Sequence, residues 1–206
     1  MQEALDRATT MTLDARQTIY RAISNSGIVR SESASPLFYY LNFNVRPMYL
    51  DDYAAVSTSV TGGNNNGLTP YTVSIPHGHT FARGTAWPSS GTVRVAGANQ
   101  MGDDIVIDGL NLTGTILPLD YVQFAGSTKV YQVAAMANSV AGQATITLNT
   151  PLVSTPADNA EVTFGSNVSF NMLAVAIPSV TTVPGLNGNP MWQYSGEFQL
   201  REVLTP

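Results

Sequence analysis

Residues 114–164, GTILPLDYVQFAGSTKVYQVAAMANSVAGQATITLNTPLVSTPADNAEVTF, decide the fold. Residues 120–124 (DYVQF) and 129–133 (KVYQV) each alternate bulky β-forming side chains with polar ones, and the turn formers Ala125, Gly126, Ser127 and Thr128 lie between them. That order is a hairpin signature. The chain reverses through 134–143, alternates again over 144–148 (ATITL), crosses back over 151–158 and ends in 161–164 (EVTF). With Thr and Gln on one face and Val, Ile, Leu and Phe on the other, this period of two predicts a small antiparallel barrel or sandwich. Its chemistry is that of a scaffold.

To the N-terminal side, residues 36–47 read as a long strand. Tyr39, Leu41, Phe43 and Val45 fall on one face and Phe38, Tyr40, Asn42 and Asn44 on the other. Residues 49–60 carry Asp51 and Asp52 in a first turn with apolar residues near helical spacing, which predicts a short helix ending at Gly62 and Gly63. Asn64 to Gly67 reads as a flexible tip, 71–75 as a strand and 77–88 as a polar loop. In the first 26 residues Leu13, Ile19 and Ile23 fit either a helical face or, with Thr18 and Tyr20, an extended arm. Further strands are expected at 92–96, 105–109 and 175–177, and residues 178–190 read as a surface loop. Residues 192–200 alternate as one closing strand.

The phrase formed by Pro118, Asp120–Phe124, Lys129–Val133, Ala144–Leu148, Pro151-Leu152 and Pro156–Asp158 resembles a module of distal-tail-like and baseplate proteins of tailed bacteriophages. So does the order of an N-terminal strand, Pro47-Met48, a helix and a further strand, and together the two resemblances cover most of residues 24–204. The resemblance implies a mainly β fold: an antiparallel β-sandwich ring-forming domain with one short helix, interrupted by a small inserted β-barrel-like domain. It places the ring-forming domain at 26–90 plus 172–206 and the insert at 91–171. Residues 1–25 have no counterpart in that pattern and are expected to form an N-terminal arm, either a clasp on a neighbour or a loosely ordered terminus.

The same resemblance implies a structural role in the virion tail. A hexameric ring would join the tail tube to hub or baseplate proteins, support peripheral tail proteins and let the tape-measure protein and DNA through a mildly acidic lumen. The assembly interface is expected at Phe38, Tyr40, Phe43, Val45, Trp192, Tyr194 and Phe198. The expected alternative is a carbohydrate-binding or adhesin module that presents an exposed aromatic platform.

Composition agrees with assembly. Only 11% of the 206 residues are charged, against about a quarter in an ordinary soluble domain, which fits a surface buried in an assembly ahead of a monomer whose surface is simply rich in Ser, Thr and Asn. The net charge is −5, and one lysine and scattered arginines form no stripe able to track a phosphate backbone; sequence-specific nucleic-acid binding is not expected. Without cysteine there are no disulfides, thiolate metal sites or cysteine nucleophiles. No run of about 18 apolar residues predicts membrane insertion, and the first residues lack a signal-peptide pattern.

Candidate sites are few. His77 and His79 are two imidazoles without a third ligand. Asp103, Asp104 and Asp108 lack calcium-loop spacing and read as a solvated turn entering a strand. Asp120, Glu161 and Glu197 are the carboxylates a glycosidase pair would draw on, each expected to face solvent from a strand. No nucleophile elbow or phosphate loop occurs, and no enzyme activity, metal or cofactor is expected.

Overall fold

Strict alternation over residues 38–45 makes a strand with one apolar face, and that strand lies second in the principal sheet. The structure, a computed structural model, describes residues 1–17, 19–23, 29–33, 36–62, 68–75 and 91–204. A short helix α1 (Gln2–Asp6) leads into β1 (Ala8–Arg16), the ribbon β2 (Ile19–Ile23) and β3 (Val29–Ser33), then β4 (Phe38–Val45), helix α2 (Leu50–Thr61) and β5 (Tyr71–Val73). Eight strands follow: β6 (Arg94–Val95), β7 (Asp104–Asp108), β8 (Thr113–Ile116), β9 (Tyr121–Phe124), β10 (Val130–Gln132), β11 (Ala137–Val140), β12 (Ala144–Thr147) and β13 (Val162–Phe164). The chain then closes with β14 (Phe170–Ala176), β15 (Val180–Pro184), β16 (Pro190–Tyr194) and β17 (Phe198–Glu202). The fold is mainly β, as expected, with two α-helices among the described residues rather than one.

The principal sheet is antiparallel, in the order β1-β4-β17-β14-β5. Leu41 stands between Leu13 on β1 and Leu200 on β17, so the apolar residues of neighbouring strands share one face. Tyr39, Leu41, Phe43 and Val45 are all buried there. The layer over that face contains α1 and α2, which pack on each other, and the β15–β16 ribbon, whose second strand reaches both α2 and β4. Val56 and Val60 of α2, one turn apart, supply its buried stripe. Asp51 and Asp52 sit at the positive end of the helix, and the Gly62 N–H donates to Thr58 O at 2.7 Å to end it.

The second core lies within residues 93–162. Here β9 pairs with both β10 and β13, and β7 with both β6 and β12. Two bridges join these triplets: Arg94 opposite Glu161 links β6 to β13, and Val133 opposite Leu148 links β10 to β12. The ring β9-β10-β12-β7-β6-β13 therefore closes on itself as a six-stranded antiparallel barrel. Ile105, Ile107, Val122, Phe124, Tyr131 and Ile146 fill it. Closure removes the sheet edges that an open sheet of this size exposes.

Several expectations are corrected. Residues 1–16 are part of the principal unit: Ala4 and Leu5 are buried in its core, and the Gln2 amide bonds both the N–H and the C=O of Ser74. Arg7 ties α1 to the first turn of α2 through Glu3 and, at 3.0 Å, Asp52. The insert ends earlier than residue 171, because Val168 and Phe170 already belong to the principal core. Residues 192–200 are two strands, since the chain turns at Gly196 (φ +134°) and only 198–201 pairs with β4. The expected loop at 178–190 contains β15, and the expected reversal at 134–143 contains β11, paired with β8. The flexible tip at Asn64–Gly67 and the loop at 77–88 lie outside the described residues.

Candidate functional site

Strand β10 belongs to both cores, and the most unusual chemistry of the chain sits beside it. Val130 packs into the principal core while Tyr131 fills the barrel, so both faces of the strand are buried. Lys129, the single lysine of the chain, precedes it with a side chain only 1% exposed. Its Nζ lies 2.7 Å from Oε2 of Glu202, which is 0% exposed on the last strand of the principal sheet. This ion pair crosses from one core to the other.

Every strong partner is fixed. The Lys129 ammonium also donates to Val130 O at 2.6 Å and lies over the rings of Tyr39, at 4.7 Å, and Tyr131, at 5.6 Å. Glu202 accepts from the N–H of Val130 at 3.0 Å and from that of Tyr39 at 3.2 Å. A carboxylate facing three donors has its lone pairs used as an ionised group requires. Burial pushes the Lys129 ammonium down and the Glu202 carboxyl up, and in each case the partner's charge opposes the shift.

Aromatic rings complete the junction. Tyr39 of β4, Tyr121 of β9 and Phe170 of β14 meet edge to face, with centroids 5.4 to 5.7 Å apart. Burial raises the Tyr39 phenol far above the ordinary tyrosine range, with Tyr121 adding to the effect. The Gln123 side chain imitates a strand partner, donating to Ser169 O at 3.1 Å and accepting from Ser169 N at 3.3 Å. Ion pair, ring cluster and amide clamp together fasten the barrel to the sheet.

The residues expected at an assembly interface divide into two groups. Phe43, Val45, Tyr194 and Phe198 are buried within this chain, so they serve its own core. Phe43 stacks on Phe198 at 4.9 Å, Phe198 meets Tyr194 at 4.8 Å, and Tyr53 of α2 stacks on Trp192 at 4.7 Å. Phe38, Tyr40 and Trp192 are partly exposed; Arg201 lies over the first two rings, and Arg16 over Tyr40. Trp192 is therefore tied into the α2–β16 layer, although its indole N–H has no hydrogen-bond partner among the described residues.

The candidate ligand and catalytic groups do not converge into one constellation. Asp120 is buried, contrary to its expected solvent-facing position, and its Oδ2 accepts from the N–H of Leu117 at 3.2 Å. Glu161 pairs across the barrel seam with Arg94, and Glu197 accepts from the Asn44 amide at 3.4 Å on the principal sheet. Asp104 accepts from the Thr147 hydroxyl at 2.6 Å, within a strand pair. Among the described residues no three His, Cys, Asp or Glu side chains are grouped to hold a metal, and no helix is long and apolar enough to cross a membrane. His77 and His79 lie outside the described residues. No protein-family model matches the chain, and no curated protein matches it in sequence.

Proposed function

We propose that this chain is a structural component of a phage tail tip or baseplate, forming a ring that connects the tail tube to the hub and supports peripheral tail proteins. Such a ring, a hexamer by the resemblance described above, assembles in the host cytoplasm and resides in the virion tail. The observation that carries the reading is a set of exposed apolar side chains on and beside the β8–β11 ribbon. Leu112 (75% exposed), Val140 (73%), Met136 (61%) and Leu119 (60%) all lie on or beside β8, β11 and the turn that follows β8. No charged residue occurs over 110–119 or 130–143. Apolar side chains gathered this way mark a surface that a partner covers. The closed barrel beneath them and the buried ion pair would present that surface at a fixed orientation. Light scattering across concentration and negative-stain images of the largest species test the reading: rings support it, and a monomer throughout removes self-assembly.

A second reading, a carbohydrate-binding module, is favoured by one cleft of about 330 Å³ lined by Pro70, Thr72, Gln123, Thr128, Ser169 and Asn171. Its side chains are hydroxyls, amides and a proline, with no charge, which suits a neutral polyhydroxylated ligand. A glycan array probed with the labelled chain checks it; binding lost on Thr72→Tyr, which fills the cleft from an exposed strand position, would favour this reading.

A further inference from the structure

The β1–β4 hairpin is longer than the sheet it belongs to. Its strands pair up to Arg16 opposite Phe38, and the same two chain segments pair again from Ile19 opposite Ser33 to Ile23 opposite Val29. Those five further pairs form a ribbon whose strands, among the described residues, pair only with each other. A two-stranded ribbon by itself is marginally stable in water.

The same chain carries an unfilled edge. β1 is the outermost strand of the principal sheet, paired on one side only over Ala8–Arg16. Met11 and Leu13 face the core side, opposite Phe43 and Leu41, yet remain only partly buried, and among the described residues no strand lies beyond them. Residues 9–13 contain neither charge nor proline, two devices that keep such an edge from pairing; a register shift at Ala8/Thr10 and the charges of Asp14 and Arg16 bound that stretch. Charge also matches: residues 19–33 hold Arg21, Arg30 and Glu32 for a net +1, so with −5 overall the rest of the chain carries −6.

We propose that β2–β3 is an intermolecular arm that adds to the open β1 edge of a second copy of this chain. Backbone hydrogen bonds would extend the principal sheet across the contact, and the added ribbon would cover Met11 and Leu13. Arm and edge are different surfaces, so the contact runs head to tail and propagates until it closes. The inference rests on the self-assembly proposed above and names the segment that makes it.

Two variants separate the halves of the contact. Replacing residues 18–36 by Asn-Gly leaves Gln17 opposite Leu37 across a two-residue turn, keeping the sheet but removing the arm. Met11→Lys keeps the arm but places an ammonium that an open edge tolerates and a covered edge does not. Both variants are checked for a cooperative unfolding transition, and their masses are measured by light scattering. The expected result is an oligomer for the unaltered chain, a monomer for each variant alone, and a 1:1 dimer when the two are mixed. An oligomer that survives loss of the arm overturns this inference and leaves the ring reading standing. A monomeric unaltered chain overturns both, and variants that stay monomeric on mixing overturn the arm-to-edge pairing.

Discussion

At the scale of single residues, Lys129 and Glu202 set the character of the junction. A fully buried ion pair gains less than its short distance suggests, because both charges have left water; removing one partner is far more costly, since the other stays buried without its countercharge. Glu202→Gln and Lys129→Met are each expected to lower stability by about 3–5 kcal/mol. The double variant should lose much less than the sum, because no unpaired charge remains. Urea unfolding of the four proteins gives the coupling, and additive losses would contradict the pair's isolation from water. Neither residue was legible as a partner in the sequence. Lys129 looks like the polar start of an alternating strand, and Glu202 stands 73 residues away, so only the packing of one core on the other brings them together. Asp120 misled for a related reason: a strand start reads as solvent-facing, whereas here its carboxylate turns back to cap the Leu117 N–H.

At the scale of elements, alternation found the strands with bulky apolar residues at every second position and missed those with little apolar surface. β4, β7 and β9 carry bulky residues at every second position and stand close to where the pattern puts them. β8 (TGTI) and β15 (VTTVP) carry little apolar surface and pair through their backbones, so they read as connections. The turn after β8 shows a further cost hidden from sequence. Leu119 holds φ at +76°, a region leucine enters with strain, while its N–H donates to Val133 O at 2.8 Å and its C=O accepts from the Gln132 amide at 3.2 Å. Its side chain is 60% exposed, so little packing offsets that strain. Leu119→Asn, a residue that enters this region more readily, should stabilise the chain by about 1 kcal/mol. The urea midpoint is expected to rise; a fall would show that the leucine packs within its own chain.

At the scale of the whole molecule, the two cores are fastened through a junction rich in tyrosine, and that makes stability sensitive to alkali. Tyr39 and Tyr121 lie in the junction, Tyr131 fills the barrel, and Tyr194 lies in the principal core; burial raises all four phenols, Tyr194 to about 12. In the unfolded chain these groups titrate near the ordinary value of about 10. The folded state therefore keeps protons that the unfolded state releases. Their contribution is whole below about pH 10 and erodes as pH rises from there through the folded values. The urea midpoint should stay level from about pH 8 to 9.5 and fall steeply above 10, with phenolate absorbance appearing together with unfolding. Tyr39→Phe removes the group most displaced in the junction while keeping its ring against Tyr121 and Phe170, so its alkaline loss should begin at the same pH and run shallower. A midpoint that stays level to about pH 11.5 in the unaltered chain would mean that these phenols reach solvent without unfolding, and that the sheet and the barrel part more easily than their shared ring cluster implies.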